Sequence, residues 1–568
     1  MSADGEQQAA APQLKVAAPG KSATALPMTL LSGFLGAGKT TLLQHILKSD
    51  HGLRIAVIVN DMAGVNIDAG LIRETHRLRK SNEKVIALQN GCICCNLRGD
   101  LLEELLDLWK LQQFDYVVIE SSGITEPEQV AETFDARVSE LLGASGDDGV
   151  AVEGIDEITL DTLKEIQENG GLERIARIDT TVTVVDAFSI LGEFQTDELL
   201  SDRQNVEKKD ERTVSDLMAD QIEFADVILL NKIDMVDDHT KGRILTLLKQ
   251  MNHRAKILES RFGKIDPREI VNTGLFNLEV AQTGYGWLQD LHAKTIKEIN
   301  GEGNAAPLKL KSQNYTAQSF IYSNYRPFHP RRLYALVHDK FILQLEHPED
   351  SESGDEEMGE DMEQGMAEEE DSADVDMDHA AMEDEFPVPR NEVLLANRRK
   401  DPLFSSLFRS KGEFFSATRP HRAGEWSQAG AMLSLTGGRP WFCTLPPEEY
   451  TTGDRHVDRL VQHDIAKGGE WGDRRQELVF IGENLNHQGL REVLDTCLLT
   501  DEEFHKWQKI MRDAELDDQA KYEALAEAFE DGFPDWPGDD EDEDEEHDHS
   551  HSHDHSGHNH HYGHRHSH

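Results

Sequence analysis

Gly33-Phe34-Leu35-Gly36-Ala37-Gly38-Lys39-Thr40 decides how this 568-residue chain is read. Glycine, four residues, glycine, lysine and threonine is the spacing of a phosphate-binding loop. The glycines let successive backbone N–H groups face a β-phosphate, Lys39 reaches the β/γ oxygens, and the Thr40 hydroxyl ligates Mg2+. The flanks suit that reading. Residues 27–32 are an apolar run expected to form a buried strand, and 40–48 have helical spacing with Leu42, Leu43, Ile46 and Leu47 on one face. The positive end of that helix adds to the anion site. Gly33, Gly36, Ala37, Gly38, Lys39, Thr40 and Thr41 are therefore the expected triphosphate-binding residues.

Outward from the loop, 54–59, 85–88, 116–119, 181–185 and 227–230 read as further buried strands, with an amphipathic helix at 101–109. This βαβ rhythm predicts an α/β domain built on a mostly parallel sheet covered on both faces. Its expected span is 27–298, interrupted by a polar insertion at about 137–177 rich in Gly, Asp and Glu. A linker at 299–318 leads to a smaller α+β domain over 319–530. Within it, 319–322, 412–415, 438–443 and 477–481 read as short strands. Residues 1–26, an acidic insert at 346–388 and an acidic, His-rich tail at 531–568 are expected to be disordered.

The formal net charge of −51 is concentrated in those segments. Residues 346–385 hold twenty Asp and Glu with no Lys or Arg. Such a balance repels phosphate backbones and argues against nucleic-acid binding. No apolar run approaches the ~20 residues needed to cross a bilayer, so no membrane partner is expected. The N-terminal segment carries Asp4 and Glu6 and no arginine, a poor targeting signal, which leaves a cytoplasmic location as the expectation.

Two motifs refine the nucleotide reading. Asn231-Lys232-Ile233-Asp234 follows an apolar strand. A carboxylate held there accepts two hydrogen bonds from the guanine edge, a pair that adenine cannot offer, so Asn231, Lys232 and Asp234 predict GTP. The strand at 116–119 runs into Glu120, with Gly123 three residues on. Glu120 is placed to reach the Mg2+ shell or an attacking water, and the Gly123 N–H to sense a γ-phosphate. Lys39, Glu120 and Gly123 are the catalytic candidates, and Thr40 and Glu120 the Mg2+ ligands.

Of five cysteines, three fall in four residues, Cys92-Ile93-Cys94-Cys95. Adjacent cysteines pair badly, so this is no disulfide framework. Gly91 lets the backbone curl so that three thiolates converge on one soft metal with a fourth position open. Zn2+, Cu+ or Co2+ would suit. Buried apolar cysteines and a redox pair are the other readings of the same residues. The tail from His547 holds eleven His among Ser, Asp and Gly, a composition that binds Zn2+ or Ni2+ weakly as a local store.

At these residues the chain resembles the CobW family of metal-handling P-loop GTPases, relatives of nickel-insertion GTPases. The resemblance runs through residues 32–43, Val59-Asn60-Asp61, Asn90 to Cys95, Glu120-Ser121-Ser122-Gly123-Ile124-Thr125-Glu126-Pro127 and Asn231 to Asp234. It resumes at Trp471-Gly472-Asp473-Arg474-Arg475-Gln476-Glu477-Leu478-Val479-Phe480-Ile481-Gly482, similar to the CobW C-terminal module. It implies zinc (Co2+ being compatible) held by Cys92, Cys94 and Cys95 beside switch-like loops. It also implies delivery to an apo-metalloprotein client coupled to GTP hydrolysis, and it allows a dimer. The segment from Asn60 to Asp68 is closest to the branch of zinc chaperones and nitrile hydratase activators. Gly64 stands where family members usually carry an acidic residue, so no ligand is assigned there and Asp61 is the remaining carboxylate candidate. The N-terminal segment has no recognisable client-docking motif. The alternative reading is a zinc-buffering or sensing protein whose GTPase domain only controls a partner interaction.

Overall fold

The computed structural model describes residues 25–60, 84–88, 97–134, 157–196, 200, 213–283, 317–345, 389–453, 455–534 and 536. The first domain is a seven-stranded, wholly parallel sheet in the order β3-β2-β4-β1-β5-β6-β7. The strands are β1 (Leu26–Ser32), β2 (Ile55–Asn60), β3 (Lys84–Leu88), β4 (Tyr116–Glu120), β5 (Ala176–Asp186), β6 (Val227–Asn231) and β7 (Lys256–Glu259). Helices α1 (Lys39–Lys48), α2 (Leu97–Leu111), α3 (Glu157–Glu168), α4 (Val214–Phe224) and α5 (Asp238–Met251) accompany it.

The central strands β1, β2, β4 and β6 are buried on both faces, which is why they read as apolar runs rather than alternating, whereas the edge strand β7 is not buried. Ile55, Val57 and Val59 share a core with Leu42, Leu43 and Ile46 of α1. Ala56 and Ile58 join Leu101, Leu105 and Leu108 of α2 on the other face. The expected insertion at 137–177 is corrected over its second half. Ile166 of α3, with Leu172 and Ile175 just after it, belongs to the α2 core, and β5 already begins at Ala176. Lys110 of α2 pairs with Glu165 of α3. Glu165 is half-buried and Glu168 exposed, on the side of the helix away from Ile166.

The second domain is a six-stranded sheet, β8-β13-β10-β11-β12-β9, antiparallel except for the parallel β12–β9 pair. Its strands are β8 (Ala317–Asn324), β9 (Ile342–Leu345), β10 (Leu407–Phe414), β11 (Arg422–Ala429), β12 (Met432–Pro440) and β13 (Gln476–Glu483). Its helices include α6 (Pro330–Val337), α7 (Asn391–Lys400), α8 (Arg455–Lys467), α9 (His487–Cys497), α10 (Asp501–Met511) and α11 (Asp518–Phe529). Two expectations need correction. Residues 438–443 are not one strand, because β12 stops at Pro440, which lacks an N–H for the ladder, and Phe442–Thr444 is a 3-10 turn. The ordered chain also runs past residue 531. Trp536 is buried, edge-on to Phe414 and under the Arg419 guanidinium, and Asp531 accepts from Thr418 and Arg419.

The Trp471 to Gly482 motif braces this domain internally. Gly472 adopts φ 66°, and the fully buried Asp473 accepts the N–H groups of Phe442 and Cys443 at 3.0 and 2.9 Å. Arg475 pairs with Asp464 of α8 and with Glu477. Alternate residues of β13 then face opposite ways. Leu478 and Phe480 pack with Leu333 of α6 and Leu490 of α9. Val479 and Ile481 pack with Leu217 and Ile222 of α4 and Leu247 of α5. The second sheet is therefore docked on the first domain through one continuous core.

That seam also holds charge. Arg409 of β10, 1 % exposed, donates through Nε and Nη2 to Glu223 at 3.1 Å each, with Asp220 at 3.4 Å and Asp216 at 3.6 Å, all three from α4. Arg243 of α5 makes a two-bond fork to Glu483 at the end of β13. Burial pushes the Asp216 carboxyl up and that of Asp220 up to about 7, against the opposing pull of Arg409. Asp220 keeps 41 % of its side chain exposed, so solvent screens part of that cost.

Candidate functional site

Parallel strands place all their carboxyl ends on one edge, and ligands of such sheets bind there. The phosphate-binding loop leaves β1 on this edge. Gly33, Gly36 and Gly38 take φ of 134°, 74° and 107°, values that L-residues avoid. Gly33 is required twice over, because a Cβ there would lie 2.3 Å from the Val184 carbonyl of β5. Gly38 is the N-cap of α1 and offers no side-chain cap, so the N–H groups of the first turn face the loop's concavity. Lys39 is buried, its Nζ donating to the Gly33 carbonyl at 2.6 Å and lying 3.4 Å from that of Phe34. Ala37 is buried and its carbonyl is tied to Asn231; Thr41 is exposed on α1.

Thr40 and Glu120 meet. The Thr40 hydroxyl donates to Glu120 Oε1 at 2.8 Å, and Glu120 is buried at the end of β4, in register with Leu31 of β1 and Val59 of β2. A hydroxyl and a carboxylate at the mouth of a phosphate loop are hard oxygen donors, the chemistry Mg2+ takes. Gly123 lies against the loop itself, for a Cβ there would sit 2.9 Å from the Leu35 backbone nitrogen. The loop carrying Gly123 is held from behind by Gln221 of α4, whose Nε2 donates to the carbonyls of Gly123 and Thr125 at 3.2 and 3.1 Å.

The Asn231 to Asp234 motif occupies the neighbouring strand end. Asn231 is buried and acts as a staple: its Nδ2 donates to the Ala37 carbonyl at 3.0 Å and its Oδ1 accepts from Gly263 N–H at 3.0 Å. Lys232 takes φ 58° and pairs with Asp186, at the end of β5, at 2.6 Å. Asp234 sits in the exposed 3-10 turn Ile233–Met235. Three contributors were not anticipated from sequence: Gln221, Asp186, and the loop Ser260-Arg261-Phe262-Gly263 after β7. A glycine following a short apolar strand was the available signal for that last loop. Gln221 has no local signal, since only tertiary packing brings α4 under the loop after β4.

Asp61, Cys92, Cys94 and Cys95 lie outside the described residues, as do the acidic insert 346–388 and the His-rich tail from 537. No metal-binding cluster of His, Cys, Asp and Glu occurs among the described residues. The strand ends that lead to the thiols are described. Asn60 is in register with Leu88, so the chain leaves β2 just before Asp61 and leaves β3 four residues before Cys92 at adjacent points of the phosphate-loop edge. No described helix is long and apolar enough to cross a membrane.

A parallel sheet with a phosphate loop after β1, a carboxylate ending β4 and an Asn-Lys-x-Asp turn after β6 defines a P-loop nucleotide-binding protein, here carrying a second, mainly antiparallel domain. Comparison with known proteins agrees along both domains. The nucleotide-binding domain described as CobW/HypB/UreG matches residues 27–169 and 160–259, and the cobalamin synthesis protein cobW C-terminal domain matches 379–498. A zinc-regulated GTPase metalloprotein activator 1 of Dictyostelium discoideum is 36 % identical over 489 residues, covering 84 % of this chain and 81 % of that protein. The zinc chaperone YjiA of Escherichia coli is 31 % identical over 259 residues, 45 % of this chain and 63 % of its own length. The zinc chaperone CobW of Pseudomonas aeruginosa is 28 % identical over 256 residues, 44 % of this chain and 60 % of its own. The chain belongs to the CobW family of metal-handling P-loop GTPases, in the branch that contains zinc chaperones.

Proposed function

We propose that this protein is a GTP-dependent zinc metallochaperone that couples GTP hydrolysis to metal delivery to an apoprotein client. The observation carrying the proposal is the shared edge: the phosphate loop, the Thr40–Glu120 pair, Gly123 and the exits toward Asp61 and Cys92 all leave neighbouring strands on one side of one sheet. The names of the zinc-chaperone relatives support zinc as the cargo.

In this reading the loop N–H groups and Lys39 bind the β- and γ-phosphates, Thr40 and Glu120 hold Mg2+, and Asp234 reads guanine. Bound Mg2+ neutralises charge on the phosphate oxygens. The alternative role of Glu120 is to orient the attacking water, and the Gly123 N–H meets the γ-phosphate. Three thiolates, Cys92, Cys94 and Cys95, hold the zinc cargo, with Asp61 the carboxylate candidate. Loss of the γ-phosphate contacts alters the loops on this edge and with them the affinity for cargo. Gln221 and the α4 carboxylates on Arg409 carry the same change into the second domain, which can present it to a client.

The test is zinc titration of full-length protein bound to GDP and to a non-hydrolysable GTP analogue, for wild type and for the triple Cys92, Cys94, Cys95→Ser variant. A tight site whose affinity differs between nucleotides, and which the variant lacks, is expected. Equal affinities with hydrolysis indifferent to zinc would sink the coupling. Retention of tight binding by the serine variant would remove the thiols from the site.

A further inference from the structure

Far along the chain from the nucleotide edge, α7 ends in three consecutive cations, Arg398, Arg399 and Lys400. Arg398 is 5 % exposed. Its Nη2 donates to the Leu407 carbonyl at 2.6 Å, and the guanidinium lies 5.7 Å from the Phe341 ring centroid. Its Nε is buried without a hydrogen-bond partner. Burial and the neighbouring Arg399 push Arg398 down to about 10, the mark of a cation whose charge is poorly compensated. Among the described residues neither arginine makes an ion pair. The next carboxylate in the chain, Asp401, commits its Oδ1 to the N–H groups of Leu403 and Phe404.

Both arginines line a cavity of about 200 Å3. Its other described walls are Leu395, Ser405 and Gln195, the last from the first domain, just after the short helix Ile190–Glu193. The domains touch at this point. Phe194 packs edge-on against Phe408 with ring centroids 6.0 Å apart, and Gly430 of the second domain lies against the Phe194 carbonyl. The cavity thus sits in the seam, with donors from both sides.

We infer that this cavity is a binding site for a tetrahedral oxyanion of the phosphate class. Arg398, Arg399, Ser405 and Gln195 bring donor-bearing side chains to its lining, and no carboxylate lines the described walls to compete. A cavity of roughly 150 Å3 accommodates benzene, so this one has room for phosphate with its waters. A plainer account is that basic residues in the last turn of α7 answer the helix dipole. That explains Arg399 and Lys400 at the surface. It does not explain burying Arg398, without an ion pair among the described residues, next to Arg399 on the lining of an open cavity.

The test is equilibrium dialysis of full-length protein with radiolabelled inorganic phosphate at constant ionic strength, the phosphate loop being filled by Mg2+ and a non-hydrolysable GTP analogue. One saturable site is expected. Arg399→Gln, at an exposed position, should weaken it about ten-fold, the worth of one charge-assisted bond. Arg398→Met should abolish it while melting no lower than wild type in phosphate-free buffer. Lys39→Ala should leave it intact, which separates this site from the phosphate loop whatever nucleotide that loop binds. Competition by O-phosphoserine would identify a phosphate monoester as the source, and its failure a free ion. Absence of saturable binding to wild type, or binding unchanged in both arginine variants, would overturn the assignment.

Discussion

Replacing Arg409 by Met tests whether the two domains are held by a buried charge cluster or by apolar packing alone. Met keeps most of the stem volume, so the change is mainly loss of the guanidinium. What remains is Glu223, 1 % exposed, with Asp216 and Asp220 beside it and, among the described residues, no cation inside hydrogen-bond range of its carboxylate. Removing one partner from a buried pair costs about 3–5 kcal/mol, because the survivor keeps its desolvation penalty without its counter-charge. Lys411, within electrostatic reach of Asp216 and Asp220, moderates the loss. Urea unfolding followed by tryptophan fluorescence reads it, Trp426 being buried on β11 with its Nε1 bonded to Ser410 next to Arg409. Adding Glu223→Gln should recover part of the stability, since no stranded carboxylate remains. The pH dependence has a definite sign. Asp220 rises from 3.8 in the unfolded chain to about 7 in the fold, so the native state keeps a proton that the unfolded state releases. Its contribution is complete below pH 3.8 and is lost as pH rises through about 7. Without the downward pull of Arg409 the variant's Asp220 takes up its proton at still higher pH, so the variant's deficit should shrink on going from about pH 8 to about pH 5. A deficit below about 1 kcal/mol, the value of a surface pair, or one that grows on acidification, would refute the reasoning.

Glu120→Gln should lower single-turnover GTP hydrolysis by about 10²–10³-fold while leaving nucleotide binding without Mg2+ unchanged; a loss under ten-fold would place the essential carboxylate elsewhere. Asp234→Asn should weaken GTP by about 10²-fold or more in calorimetric titration, because an amide meets the guanine N–H groups with a donor where an acceptor is needed. Equal GTP affinity in that variant would remove Asp234 from the base site. Burial pushes the Cys443 thiol up and that of Cys497 up to about 11, so neither holds much thiolate at pH 8. Brief alkylation of native protein, mapped by mass spectrometry, should leave Cys497 unmodified, and its rapid labelling would contradict the packing around α9.

Much of the fold was legible because local signals agreed. Short β-branched apolar runs such as 55–59 and 227–230 suit a strand buried on both faces, and a glycine-rich turn entering an amphipathic helix marks the phosphate loop. Failures followed equally physical lines. The helix Glu157–Glu168 was hidden because its four acidic residues are counted as loop by composition. Strand β11 escaped because Arg422, Glu425 and Gln428 dilute it, although Trp426 and Ala429 face cores on opposite sides. Trp536 looked like part of an acidic tail because its partners, Arg419 and Phe414, are more than a hundred residues away.

The amino-acid sequence alone carries the proposed chemistry: residues suited to cradling phosphates, a carboxylate suited to guanine, and thiols suited to a soft metal. Those properties reside in side-chain type and short spacing, which a linear pattern carries in full. Only the tertiary structure decided who stands next to whom. It put Glu120 on Thr40, gave Asn231 the task of stapling two loops, and set Gln221 under Gly123. It also buried Arg409 among three carboxylates of α4 and left Arg398 beside a cavity in the same seam. These contacts join residues tens to hundreds of positions apart, and they exist because burying two apolar sheet faces against shared helices fixes where each remaining polar group must find its partner.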